Sequence, residues 1–207
     1  RPLEIAPSMG ELELSQHMGE LASRNLNNHN SVCFLGGGSY DHFIPAVVDA
    51  LASRGEFYTS YTPYQPEVSQ GNLQCMFEYQ TLICQLTGMD VSNASLYDGG
   101  SAVTEAALMA LSVARGRNQV VVSDAVHPEY RQILKTYLNN LDAELITVQS
   151  DEGVTSTERI AAALSEKTAC VILQHPNFFG CLEDIEALAK QIHEQGAFLV
   201  LSVDPLS

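Results

Sequence analysis

The sequence predicts an α/β fold, a three-layer α/β/α arrangement around a mostly parallel sheet, for residues 93–207. Five short apolar runs alternate with four helical patterns in this part of the chain: the runs lie at 94–97, 119–123, 144–148, 169–173 and 197–203, and the helical patterns at 102–115, 129–139, 157–165 and 183–195. This alternation is typical of a parallel sheet with helices on its faces. Val120–Val122 and Val171–Leu173 are apolar without alternation, as expected for strands buried on both faces.

The first 92 residues lack this regular alternation and are predicted to be a helical and irregular segment. Apolar residues at helical spacing predict a helix over 10–24, and Ser8 with Glu11 three residues later matches a capping box. Residues 27–43 are rich in Asn, Gly, Ser and His, which is typical of a loop. We therefore predict two parts, residues 1–92 and residues 93–207.

Two predicted helices flank a long irregular segment. Residues 45–53 are predicted to form a short helix with Pro45 in its first turn. Residues 72–87 are predicted to form a longer helix that Gly88 ends. The segment 57–71 between them contains too much proline for a helix and is too polar for a central strand. Its three tyrosines and the lack of a charge run favour an ordered, functional segment over a disordered one.

Composition and charge exclude several classes of protein. The chain has 207 residues, of which 45% are hydrophobic, so it can bury a core. A formal net charge of -15 and the lack of a long apolar run argue against nucleic acid and membrane as partners. The five cysteines form no CxxC pair, and no Cys/His cluster indicates a metal site. We expect reduced thiols in a cytoplasmic protein.

Polar residues follow the predicted strands, at the edge where open α/β sheets bind ligands. Gly100 and Ser101 begin a helix, whose free N–H groups favour an anion unless Ser101 simply caps it. His127 could stack on a flat ligand or be structural. Asp204 follows an apolar strand, where an unpaired acid is costly. Together these groups suit pyridoxal phosphate. The Gly100–Ser101 turn would hold the phosphate, His127 would cover the ring, and Asp204 would pair with the ring nitrogen.

A lysine for the Schiff base is missing from this set. Lys135, Lys167 and Lys190 all fall within or beside predicted helices, away from the carboxyl ends of the strands. The glycine run at 36–38 is not a nucleotide-binding loop, because Asp41 stands where GxGxxG needs its third glycine. The chemistry that the sheet edge suggests must therefore be completed elsewhere.

The chain resembles glycine decarboxylase, the P-protein of the glycine cleavage system, along nearly its whole length. The resemblance is carried by GEFYTSYTPYQPEVSQG at 55–71, EYQT at 78–81, LTGMD at 86–90, NASLYD at 93–98 and QHPNFFG at 174–180. The stretch from Gly38 to His42, and Pro45, are more similar to subunit 1 of the two-subunit bacterial form than to the fused long form. The chain is therefore expected to be the N-terminal part of that subunit.

The resemblance implies a fold, an activity and partners. The fold is the large domain of the aspartate-aminotransferase-like, pyridoxal-phosphate-dependent transferases, incomplete in these residues. The activity is that of glycine dehydrogenase (decarboxylating), an oxidoreductase that decarboxylates glycine and transfers the aminomethyl group to the lipoyl arm of the H-protein. In the two-subunit form the Schiff-base lysine lies in subunit 2, and the assembly is a heterotetramer. The 207 residues alone are expected to be inactive.

The resemblance also suggests roles for two groups of residues. Side chains of the 61–71 segment offer hydroxyl, amide and carboxylate groups on a proline-rigid frame, and we expect them to help build the active site of the partner: Tyr61, Tyr64, Gln65 and Glu67. Interface packing is the alternative. A second group is expected to be the remnant of a cofactor pocket: Gly100, Ser101, His127 and Asp204. Two other interpretations stay open, a non-catalytic structural partner and a self-contained pyridoxal-phosphate lyase or decarboxylase whose lysine lies beyond residue 207.

Overall fold

A computed structural model describes residues 3–27, 30–34 and 36–207. The chain divides into two compact units, of which the first ends at Phe34 and the second runs to Ser207. The predicted boundary between residues 92 and 93 falls inside the second unit and stays a prediction of domain organisation. Within the described residues, no helix combines the length and the apolar character that crossing a membrane requires.

The first unit contains one helix, α1, over Glu11–Ser23. The predicted helix over 10–24 is therefore confirmed, but the predicted capping box at Ser8 is wrong. Gly10 is the N-cap, and no side chain caps the helix. Ser8 lies two residues before that cap, so its hydroxyl is in the wrong place for the first free N–H groups. Part of the predicted loop at 27–43 lies outside the described residues.

The second unit opens with short helices and one long helix. Helix α2 spans Ala46–Ala52, α3 spans Gly55–Tyr58, and a single 3-10 turn covers Pro66–Val68. Helix α4 spans Gln70–Thr87 and ends at Gly88, whose φ of 71° is the left-handed conformation that glycine adopts without strain. The predicted helices at 45–53 and 72–87 are thus confirmed. The predicted irregular segment 57–71 is confirmed only in part, because it includes the end of α3, the 3-10 turn and the first two residues of α4.

Four parallel strands form the sheet, in the order β2-β1-β3-β4. Their bounds agree with four of the five predicted strands: β1 is Gln119–Ser123, β2 is Glu144–Val148, β3 is Thr168–His175 and β4 is Phe198–Val203. Every residue of β1 is buried, which explains why its sequence is apolar without alternation.

The predicted strand at 94–97 is wrong. Within the described residues this segment is irregular, and no strand pairs with it. Leu96 is 43% exposed and Tyr97 is 99% exposed, so the apolar residues of this run are not buried as those of a central strand would be. A run of four apolar residues forms a strand only where a neighbouring strand pairs with its backbone N–H and C=O groups.

Helices cover both faces of the sheet, which confirms the three-layer α/β arrangement. Four helices follow the irregular segment: α5 spans Gly99–Val113, α6 spans Pro128–Leu138, α7 spans Thr157–Ala163 and α8 spans Ile185–Glu194. On one face, Val122 and Ile172 of the strands pack with Leu134 of α6. On the other face, Val121 packs with Ile160 of α7 and Leu188 of α8. Neighbouring strand residues therefore point into different cores, as the period of two requires.

Candidate functional site

The start of α5 is closed by the carboxylate of Asp98. Its Oδ1 accepts a hydrogen bond from the backbone N–H of Ser101 at 2.7 Å, and its Oδ2 accepts one from the Ser101 hydroxyl at 3.2 Å. A negative charge at this position satisfies the helix N-terminus electrostatically. Gly100 is buried, and a side chain at Gly99 would overlap the Tyr130 hydroxyl. The predicted anion-binding turn is thus already capped by an anion of the chain itself.

His127 lies inside an aromatic cluster. Its ring stacks on Tyr130 with centroids 4.7 Å apart and meets the edge of Phe178 at 5.0 Å. The Nδ1 atom accepts a hydrogen bond from the backbone N–H of Glu129 at 3.2 Å, and the His127 backbone N–H donates to Gln174 Oε1 at 2.8 Å. These contacts fix the ring at the carboxyl edge of the sheet, with one nitrogen used to cap α6.

Asp204 has a partner that the sequence did not predict. His42 Nε2 lies 2.8 Å from Asp204 Oδ2, and the Asp204 side chain is only 9% exposed. The ring of Tyr40 stacks beside His42, and its hydroxyl donates to the carbonyl of Pro176 at 3.0 Å. Burial raises the pKa of Tyr40, and the nearby charge of Asp204 raises it further. The acid expected to need a partner is therefore paired within the chain.

The glycine run 36–38 packs closely against the backbone of the 176–182 turn and beside His127. Gly36, Gly37 and Gly38 have φ values of 70°, 73° and 75°, which only glycine adopts readily. The Gly37 N–H donates to the Phe178 carbonyl at 2.7 Å. A side chain at Gly36 would overlap the backbone of Phe178, and one at Gly38 would lie 3.7 Å from His127. Sequence reasoning missed this packing role, although three successive glycines signal a close approach of two backbones.

Glu183 is a buried carboxylate near the carboxyl edge of the sheet. Glu183 is 6% exposed and accepts hydrogen bonds from the Thr155 N–H at 2.8 Å, the Thr155 hydroxyl at 2.9 Å and Asn177 Nδ2 at 2.8 Å. The Thr155 hydroxyl also lies 2.7 Å from that of Ser123, at the end of β1. Glu183 therefore links the end of β1, the loop before α7 and the 176–182 turn. Its role was not predicted.

The four residues predicted to serve the partner's site lie apart from this network. Tyr61 and Tyr64 are 82% and 78% exposed, and their rings are 6.2 Å apart. Gln65 and Glu67 are exposed as well. In the described part of the chain, no hydrogen bond or ring contact joins these side chains to the sheet edge. The structure thus presents two separate groups of candidate residues.

Two of the groups predicted to hold pyridoxal phosphate have partners within the chain. The Asp98 carboxylate accepts a hydrogen bond from the Ser101 N–H at the start of α5, and His42 Nε2 lies 2.8 Å from Oδ2 of Asp204. Lys135 and Lys190 lie in helices, and Lys167 precedes β3 at the opposite edge of the sheet. The role of Gly100, Ser101, His127 and Asp204 in cofactor binding stays a prediction. Within the described residues, no cluster of three or more acidic, histidine or cysteine side chains is placed to hold a metal.

A parallel sheet with helices on both faces and polar groups at its carboxyl edge defines a three-layer α/β protein. A model of the family described as the glycine cleavage system P-protein matches residues 1–207, and the chain belongs to this family.

Relatives and solved structures agree with this assignment. The chain is 51% identical over 207 residues to the probable glycine dehydrogenase (decarboxylating) subunit 1 of Desulforamulus reducens, and 52% identical to that of Geotalea uraniireducens. It covers 46% of either relative, and so spans about half their length. A crystal structure of glycine decarboxylase (P-protein) in inhibitor-bound form superposes on the whole chain, and on 46% of its own, with a TM-score of 0.79 and 45% identity.

A more distant structure shares the fold alone. It is the sphingosine-1-phosphate lyase of Burkholderia pseudomallei, which matches 97% of this chain and 49% of its own with a TM-score of 0.64. The identity is 15%, so this likeness supports the fold and no shared activity. The predicted family and fold class are confirmed.

Proposed function

We propose that the chain is part of subunit 1 of a glycine dehydrogenase (decarboxylating). The enzyme decarboxylates glycine with pyridoxal phosphate and transfers the aminomethyl group to the lipoyl arm of the H-protein. Membership of the P-protein family over residues 1–207 supports this, as do relatives about half identical that are named as this subunit. The partner is subunit 2, in a heterotetramer in the cytoplasm, and the five free cysteines agree with that compartment.

One contrast in the structure supports our proposal for how this subunit contributes. The polar groups at its own sheet edge are paired with one another, whereas the aromatic side chains of the 61–67 segment are exposed. We assign the cofactor and its Schiff-base lysine to subunit 2. Four side chains of this chain then complete that site from outside: Tyr61, Tyr64, Gln65 and Glu67.

Their chemistry suits a small charged substrate. The two phenol hydroxyls and the Gln65 amide can donate hydrogen bonds to a carboxylate, and Glu67 can accept one from an amine. Pro63 and Pro66 flank the central pair and restrict its backbone, so less entropy is lost when the segment is held in a site. On this proposal Gly100, Ser101, His127 and Asp204 form a remnant pocket that binds no cofactor.

The proposal is tested by Tyr64→Phe and Gln65→Ala in the assembled enzyme. Each change removes a hydrogen-bond donor and leaves the backbone alone. Loss of a hydrogen bond to a charged group costs about 1.5–3 kcal/mol, so glycine–bicarbonate exchange should fall about tenfold to a hundredfold in kcat/KM. Tyr58→Phe is the matched control, because Tyr58 is 82% exposed, close to the 78% of Tyr64, and lies in α3, outside residues 61–71. Exchange at the wild-type rate in both variants, with assembly intact by gel filtration, would contradict the proposal.

A further inference from the structure

Residues 36–42, here called the strap, lie along the carboxyl edge of the sheet. A side chain at Gly38 would be 3.7 Å from Cδ2 of His127, which belongs to the loop after β1. The Tyr40 hydroxyl donates a hydrogen bond at 3.0 Å to the carbonyl of Pro176, the residue that follows β3. The strap therefore contacts the chain just beyond the ends of two strands.

A third contact fixes the far end of the strap. His42 Nε2 lies 2.8 Å from Oδ2 of Asp204, the residue that follows β4. A carboxylate only accepts hydrogen bonds, so the Nε2–H group is the donor. Because β1, β3 and β4 are neighbours in the sheet, the strap crosses three adjacent strand ends. This is the position at which open α/β sheets bind their ligands.

The strap and the residues after it bury little apolar surface. Phe43 and Ile44, which follow the strap, are 89% and 68% exposed. At the other end, Gly36, Gly37 and Gly38 have positive φ and carry no side chain that could pack. A segment with few buried contacts opens locally at a lower free energy than the core does. The polar contacts of the strap therefore decide whether it stays closed.

The His42–Asp204 pair is the strongest of these polar contacts. A hydrogen bond to an ionised group is roughly twice as strong as one between neutral groups. The Asp204 side chain is 9% exposed, whereas that of His42 is 41% exposed. A carboxylate with so little access to water is costly without a donor, and His42 supplies one from the strap. The pair thus acts from the solvent side and holds the strap against the sheet.

We propose that the strap closes the ligand position at this subunit's own sheet edge, with the His42–Asp204 pair as its latch. A ligand that contacts Asp204 must first break the latch. The device is autoinhibitory, because the segment that closes the edge belongs to the same chain. It goes beyond the proposed contribution of Tyr64 and Gln65 to the partner's site and does not depend on it.

The latch is tested by hydrogen exchange of the Gly37 amide, which donates to the Phe178 carbonyl at 2.7 Å, in the whole subunit that contains these residues. His42→Ala removes the donor and should speed exchange at least about tenfold. His42→Gln keeps an amide donor, and His17→Ala alters an exposed histidine of α1, so both should stay within about threefold of the wild type. Exchange at the wild-type rate in His42→Ala would overturn the latch.

Closure is tested by equilibrium dialysis with pyridoxamine 5′-phosphate, a flat anionic probe that has no aldehyde to react with surface lysines. His42→Ala should bind the probe at least about tenfold more tightly than the wild type. Gly36→Ala releases the strap differently, because its side chain would overlap the backbone of Phe178 and Gly180, while the latch residues are unaltered. It should also bind the probe more tightly.

The two variants separate the strap from its latch residue. Tighter binding by His42→Ala alone would show that the freed carboxylate of Asp204, and not movement of the strap, admits the probe, and the inference would be overturned. Unchanged affinity in both variants would overturn it as well. Circular dichroism checks that the variants fold, and if His42→Ala does not, the affinity of Gly36→Ala decides.

Failure of this inference is separable from failure of the proposed function. If exchange of glycine with bicarbonate requires Tyr64 but neither strap variant binds the probe more tightly, the autoinhibitory strap is wrong and the function stands. If both strap variants bind the probe but Tyr64→Phe and Gln65→Ala exchange normally, the strap stands and the assigned contribution to the partner's active site is wrong.

Discussion

Glu183→Gln should destabilise the second unit although it changes no more than one oxygen into an amide nitrogen. The two carboxylate oxygens accept from three donors: Oε1 accepts from the Thr155 hydroxyl and from Asn177, and Oε2 accepts from the Thr155 N–H. An amide has one accepting oxygen. Whichever way the amide is turned, its NH2 group faces at least one donor that then loses its acceptor.

The size of the effect follows from the burial of the site. A buried donor left without a partner costs about 1–3 kcal/mol. Thr155 and Asn177 are 5% and 0% exposed, so water has little access to replace the lost acceptor. For a unit of this size each kcal/mol corresponds to about 2–4 °C in Tm. We therefore expect a fall of roughly 2–12 °C in the thermal midpoint.

The assay is urea unfolding of the subunit followed by far-UV circular dichroism, together with a thermal melt. Glu166→Gln is the control, because Glu166 is exposed and the same chemical change there should stay within about 0.5 kcal/mol of the wild type. If Glu183→Gln unfolds within that same range, the three hydrogen bonds do not carry the stability assigned to them. The proposed link between the end of β1 and the 176–182 turn would then be refuted.

Two further predictions concern Asp98 and Cys170. Asp98→Ala removes the cap of α5 and should lower the free energy of unfolding by about 0.5–2 kcal/mol, seen as a lower urea midpoint; an unchanged midpoint would show that the cap contributes nothing. Burial raises the pKa of the Cys170 thiol to about 12, so it should resist alkylation at pH 8 in the folded protein and react after unfolding. Because the folded-state pKa is raised above the ordinary 9.0, the stability from the neutral thiol is complete below pH 9.0 and is lost as the pH rises towards about 12. Rapid alkylation of the native protein would contradict this.

Local sequence patterns predicted the core of the fold but not the contacts of its edge. The strands β1 and β2 were predicted to the residue. Burial on both faces explains the uninterrupted apolar run of β1, whereas β2 is a partly exposed edge strand. The run at 94–97 has the same appearance and forms no strand, since pairing depends on a neighbour that a local pattern does not contain. A local sequence pattern predicts a helix or strand only where the residues of that segment, and not a distant neighbour, determine whether it forms.

The edge contacts were missed because they join residues far apart in the chain. Asp204 was singled out as an acid that needs a partner, and the partner, His42, lies 162 residues away. Glu183 and Thr155 are 28 residues apart, and nothing in either neighbourhood signals the pair. The glycine run at 36–38 carried a signal of close backbone approach, but not the identity of the backbone that it approaches. Chemistry suggested what these groups need, and only the fold shows which groups supply it.

The central claim is that this subunit completes an active site held by its partner and binds no cofactor itself. The most direct test is the amount of pyridoxal phosphate retained after gel filtration, measured by visible absorbance and by released phosphate ester. It is compared for this subunit alone, subunit 2 alone and the assembled enzyme. We predict cofactor in the samples that contain subunit 2 and none with this subunit alone. Stoichiometric cofactor on this subunit alone would contradict the account, which assigns the cofactor to subunit 2.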